Sequence, residues 1–106
     1  MIRSALLLSL LLSSAALASA GMPGPARQTQ LTHLVRQDCG SCHGMTLKGG
    51  LGRALLPENL KDFDKDGLVA IILDGIPGTP MPPWRGLLTE AEAQWIVEKL
   101  KTGTLK

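Results

Sequence analysis

The chain has 106 residues, a formal net charge of +2, two cysteines, 3% aromatic residues and no tyrosine. That length suits one small domain and excludes a second core. The nearly balanced charge excludes the broad basic face that nucleic acid requires, so no nucleic-acid partner is expected.

Residues 1–20 read as a secretory signal. Arg3 supplies the positive start, Ala5 to Leu12 is apolar apart from Ser9, and Ala18-Ser19-Ala20 fits the small-x-small rule, with cleavage after Ala20. The apolar stretch is well short of the ~20 residues a spanning helix needs, so no membrane insertion is expected after cleavage. Export implies the periplasm. Residues 21–27 form a Pro/Gly-rich flexible leader, and residues 28–106 form the domain. A domain this short and this poor in large side chains is expected to need a staple.

The first helix is expected from about Gln28 to Asp38, with Leu31, Leu34 and Val35 at i, i+3, i+4. It runs straight into Cys39-Gly40-Ser41-Cys42-His43. Two cysteines three apart with a histidine directly after form the attachment sequence of a c-type haem. Each thiol adds to one vinyl group of the porphyrin, and one turn of backbone spans the distance between the two vinyls. The next residue then swings under the macrocycle, where an imidazole nitrogen can bind iron. In an oxidising compartment a bare Cys39–Cys42 pair can form a disulfide, but His43 argues for haem.

Gly44 to Pro57 is a loop whose glycines (Gly44, Gly49, Gly50, Gly52) permit close approach to a flat ligand. Pro57 to Leu60 is expected as one helical turn. A further helix spans Lys65 to Asp74, with Leu68, Ile71 and Ile72 as its buried stripe and Gly75 as its C-terminal cap. A loop stiffened by Pro77, Pro80, Pro82 and Pro83 comes next. The last helix starts at a capping box, Thr89 with Glu92, buries Trp95, Ile96, Val97 and Leu100, and ends at Gly103. No segment alternates like a strand. The expected class is all-α, three to four helices and long loops around one covalent haem.

Met81, in Gly78-Thr79-Pro80-Met81-Pro82-Pro83-Trp84, is the expected second axial ligand. A thioether on iron favours the reduced state, and prolines on both sides restrict the loop that presents it. Met45 is too close to His43 to reach the opposite haem face, Met22 lies in the leader, and His33 reads as a surface histidine. Asp62-Phe63-Asp64-Lys65-Asp66-Gly67 imitates the start of a calcium loop, but Leu73 stands where the bidentate glutamate belongs, so Asp64 or Asp66 is read as a helix cap. A dithiol redox site would need a βαβ context, and structural zinc a fourth ligand.

On these residues the chain resembles the small monohaem class I cytochromes c. Cys39, Cys42 and His43 match that family's haem site, and Met81 its distal ligand. The resemblance implies that the first and last helices cross near the haem, with Leu34 or Val35 meeting Trp95 or Ile96. One departure is that Gly52-Arg53 stands where the family commonly has Gly-Pro. The proline carbonyl there accepts the proximal histidine's second N–H, and Arg53 still offers a carbonyl.

A narrower resemblance rests on Gln37-Asp38-Cys39-Gly40-Ser41-Cys42-His43-Gly44, Gly49-Gly50-Leu51-Gly52 and Gly78-Thr79-Pro80-Met81-Pro82-Pro83-Trp84-Arg85. It is to the NirC-type cytochromes that accompany the haem cd nitrite reductase of denitrifying bacteria. It implies a periplasmic single-haem electron carrier, not an enzyme, whose partner is that reductase or the proteins that mature its d-type haem. His43 and Met81 would saturate the iron and leave no substrate position. Lys48, Arg53 and Arg85 are expected to flank the haem edge and steer docking. A haem-based sensor is a further alternative.

Overall fold

Pro25 opens the first helix, α1 (Pro25–Leu34), in the computed structural model, which describes residues 21–105. Proline suits a first helical position, where its missing N–H would have no partner in any case. The N–H of Gln28 donates to the Gly24 carbonyl at 2.9 Å, and the Gln28 side chain donates to the Pro23 carbonyl at 2.9 Å. The helix therefore begins three residues before the expected Gln28, and Pro25 to Arg27 are not a loose leader. Arg27 is anchored at long range: its guanidinium donates to the Glu92 carboxylate and, at 3.4 Å, to the Leu87 carbonyl. The expected signal segment, residues 1–20, lies outside the described residues.

Leu31 and Val35 are fully buried. From Val35 to Cys39 the backbone widens into a π-helical turn, then tightens again into α2 (Gly40–His43). The expected helix thus does run into the cysteine motif, but through a change of pitch. A π turn accommodates an extra residue and rotates the next stretch of helix relative to a regular α-helix. Beyond the turn, Gly40 is buried and Ser41 and Cys42 are exposed.

The remaining elements are α3 (Pro57–Leu60), α4 (Lys65–Asp74) and α5 (Glu90–Thr102), and the described residues contain no strand. The Asp64 side chain accepts the Gly67 N–H at 3.2 Å, so this aspartate caps α4, as expected. At α5 the Thr89 hydroxyl accepts from Glu92 N–H at 3.1 Å, and the Glu92 carboxylate accepts from Thr89 N–H at 3.0 Å, completing the expected box. Trp95, Ile96, Val97 and Leu100 are buried, and Gly103 ends α5 in the left-handed region, φ 69°.

The buried face of α4 differs from expectation. Val69 and Leu73 are in the core, whereas Leu68 and Ile72 are half-buried beside it and Ile71 is also half-buried. Residues 68, 69, 71, 72 and 73 are all apolar, so periodicity left more than one stripe available. Packing against α5, the main partner of α4, selects Val69 and Leu73. Helix α1 also packs against α5, with Val35, Trp95 and Ile96 buried in one core and Leu34 at its margin.

Candidate haem site

Cys39, Cys42 and His43 lie at the end of the helical run, on the π turn and α2. Both thiols are free, Cys39 half-buried and Cys42 exposed. Burial pushes the Cys39 thiol up to about 11, and the charge of Asp38 adds to the shift. At neutral pH that sulfur is a thiol rather than a thiolate, which slows disulfide formation.

The segment after α2 folds back onto the helix end. Gly49 N–H donates to the His43 carbonyl and Gly52 N–H to the Cys42 carbonyl, each at 2.8 Å. These are helix-terminal carbonyls with no partner inside the helix. The return brings the Arg53 carbonyl to 2.7 Å from His43 Nδ1. A carbonyl only accepts, so Nδ1 carries the hydrogen and, in the neutral imidazole, the ring's lone pair is on Nε2. The available Arg53 carbonyl therefore takes up the imidazole N–H as expected.

The glycines of this loop serve the chain's own packing. A Cβ at Gly52 would lie 2.8 Å from His43 Nδ1, and one at Gly50 would lie 2.8 Å from the Cys42 carbonyl oxygen. Gly44 adopts φ +93°, and a Cβ there would lie 2.6 Å from the Gly49 carbonyl oxygen. The sequence suggests glycines that let a flat ligand approach. Within the chain, these glycines lie against the imidazole and backbone carbonyls.

Met81 is half-buried in the loop between α4 and α5. Its N–H donates to the Thr79 hydroxyl at 3.3 Å, and that hydroxyl donates to the Ile76 carbonyl at 2.7 Å. The Met81 carbonyl accepts from Ile76 N–H at 3.2 Å. Both neighbours of Met81 in sequence, Pro80 and Pro82, lack an N–H, so Thr79 and Ile76 carry the local bonding. The role of Thr79 in shaping this loop is one that the sequence reading does not single out. A threonine two residues before the methionine, able to form such a turn, is the available signal. Met22 and Met45 are 62% and 56% exposed, and His33 is exposed.

Of the three expected steering cations, Arg85 is not free. It pairs with both carboxylate oxygens of Asp74, at 2.8 and 2.9 Å. Arg53 is exposed with its guanidinium 5.5 Å from the centroid of the Phe63 ring, and Lys48 is exposed.

No hydrogen bond joins the His43 segment to the Met81 loop among the described residues. Beside the core lie half-buried apolar side chains from both regions, including Leu47, Leu55, Leu68, Ile72 and Trp84. A flat apolar macrocycle would cover such surface. Two unpaired thiols, an imidazole with its Nε2 lone pair free and a thioether form a donor set that fits haem c.

Comparison with known proteins decides the family. Residues 26–98 match the family model described as cytochrome c oxidase, cbb3-type, subunit III. Over 105 residues the chain is 56% identical to cytochrome c55X of Paracoccus denitrificans (strain Pd 1222), covering 98% of this chain and 99% of that one. The chain belongs to the c-type cytochromes, in the cytochrome c55X family. Its fold is similar to a solved c-type cytochrome NirC, with a TM-score of 0.77 at 54% identity over 78% of this chain and 98% of that one. It is also similar to part of dihydro-heme d1 dehydrogenase NirN, solved in complex with DHE. There the TM-score is 0.61 at 39% identity, over 65% of this chain and 15% of that one. Members of the c-type cytochromes carry covalently bound haem c and act as electron carriers. The all-α architecture around such a group is the expected one.

Proposed function

We propose that this chain is a periplasmic single-haem electron carrier, exported by a signal cleaved after Ala20, that donates electrons to haem cd nitrite reductase. Cys39 and Cys42 would hold the haem by thioether bonds, and His43 Nε2 and Met81 Sδ would be the iron's donors from the chain. The observation that carries this reading is the 2.7 Å bond from His43 Nδ1 to the Arg53 carbonyl. It fixes the imidazole tautomer, orients the ring and raises the basicity of the nitrogen that faces the metal.

Bound haem supplies a one-electron couple. The chain's own residues set its conditions: the His43–Arg53 bond strengthens donation from nitrogen, and the Met81 thioether favours the reduced state. With an imidazole and a thioether both given to the iron, no coordination position would remain for a substrate, so the reading is of a carrier rather than an enzyme. Lys48 and Arg53, the two expected cations that pair with no acid among the described residues, are the candidates for steering an acidic partner.

The similarity to part of NirN favours a second reading, a role in maturing the d-type haem of the same reductase. Absorption spectra of the exported protein test the haem assignment. Pigment that stays with the protein in acidified organic solvent, and a near-infrared sulfur-to-iron charge-transfer band that Met81→Ala abolishes, are expected. Pigment released by that solvent would refute the thioether role of Cys39 and Cys42, and a band that survives the substitution would refute Met81 as the sulfur donor. Anaerobic mixing of the reduced protein with nitrite reductase then separates the roles. Rapid oxidation that slows on charge reversal of Lys48 and Arg53 is expected for the carrier. Copurification with maturation proteins and no electron transfer would favour the second reading.

A further inference from the structure

The loop that presents Met81 leaves α4 at Gly75 and returns to the same helix end at Arg85. Helix α4, like any helix, ends in carbonyls that no later helical N–H reaches. The returning chain takes up two of them: Trp84 N–H donates to the Ile72 carbonyl and Arg85 N–H to the Leu73 carbonyl, each at 3.0 Å. The fit is close. Gly75 has φ +67°, and a Cβ there would lie 2.6 Å from the Met81 carbonyl oxygen. At this same point the Arg85 side chain turns back, and its Nε and Nη2 donate to the two oxygens of Asp74 at 2.8 and 2.9 Å. Residues 74 and 85 therefore close the ends of the loop by side chain, next to the backbone bonds that close it by main chain.

We propose that the Asp74–Arg85 pair is a positioning brace for Met81, holding the base of its loop shut against displacement of the thioether by other ligands. The inference rests on the reading of Met81 as an iron ligand. A competing ligand can enter only when Met81 leaves, so its apparent affinity scales with the fraction of molecules whose loop is open. The two-pronged geometry gives the guanidinium one orientation, which a lone lysine would not. Asp74 is the last residue of α4, where an acid opposes the negative end of the helix dipole unless a cation accompanies it. Removing Arg85 therefore leaves a repulsive charge as well as an open loop, and removing Asp74 leaves only the latter. Both groups lie at the surface, so the effect is modest, about two- to five-fold in loop opening.

Imidazole titration of the oxidised holoprotein, followed by loss of the near-infrared band, tests the brace. The variants are Asp74→Asn, Arg85→Gln, their double, and the swap of Asp74→Arg with Arg85→Asp. Unfolding of the helices by far-ultraviolet circular dichroism is measured on each. Imidazole should bind about two- to five-fold tighter to each single variant, more so to Arg85→Gln, with a double no worse than Arg85→Gln and partial rescue by the swap. Helix unfolding should move less than the imidazole midpoint. Unchanged imidazole affinity in both single variants, additive effects in the double, or an equal loss of helix stability would overturn the brace. Wild-type protein without the band would overturn the Met81 assignment, and the brace with it.

Discussion

Substitution of Gly52 by alanine isolates the contact that holds His43. The Cβ it adds would lie 2.8 Å from Nδ1 and 2.9 Å from Cε1 of the imidazole, about 0.6 Å inside ordinary van der Waals contact. The backbone of Gly52 lies outside the left-handed region, so strain in φ does not contribute. Relief must come from tilting the ring or from moving the loop, and either change lengthens the 2.7 Å bond to the Arg53 carbonyl. Overpacking of this kind costs about 1–3 kcal/mol. For a domain of this size that is a fall in Tm of roughly 5–20 °C. The weakened hydrogen bond lowers the basicity of the imidazole, so the oxidised state loses stabilisation and the reduction potential should rise. Gly86→Ala is the control, because nothing lies within 4 Å of its added Cβ, and it should be neutral or stabilise by up to about 1 kcal/mol. Thermal unfolding and spectroelectrochemical titration of the holoprotein read both effects. A Gly52→Ala protein matching the wild type in Tm and potential would refute the reasoning.

The helix ends and the core yield three further expected outcomes. The Arg27 guanidinium holds the Glu92 carboxyl below its ordinary value of 4.5. Its stabilisation is therefore full above that pH and disappears as pH falls through the depressed folded-state value. Glu92→Gln should keep the cap, lose about 0.5–1 kcal/mol at neutral pH after allowance for the half-exposed arginine, and flatten the acid limb of the stability curve. A variant with the wild-type acid limb would count against the pair. Thr89→Ala should cost about 1 kcal/mol by removing the other half of the box, read as a lower urea midpoint at unchanged slope. Ile96→Ala, at a side chain 1% exposed, should cost about 2–5 kcal/mol, whereas Leu51→Ala, 96% exposed, should stay within about 0.5 kcal/mol. Similar losses at both positions would contradict a core centred on α5.

Much of this protein is written in short stretches of chain. The limits of α4 and α5 come from Asp64, Gly75, Thr89, Glu92 and Gly103, because caps and turns join residues a few positions apart. The haem-attachment motif is equally local, five residues in a row. Met81 stands out because prolines flank it. The Arg53 carbonyl is foreseeable only by analogy with a proline that this chain lacks.

Tertiary structure decided what depends on where the chain returns. That Val69 and Leu73, not Leu68, Ile71 and Ile72, enter the core was settled by the position of α5, since α4 is apolar on more than one side. Arg85 reads as a free steering charge in the sequence, yet Asp74, eleven residues earlier, holds it. Arg27, in sequence part of a loose leader, is tied to Glu92 across 65 residues. Sequence patterns encode caps and periodicity because their partners sit within a turn or two. Long-range pairing and the choice among several apolar faces are set by a fold in which each contact depends on the others.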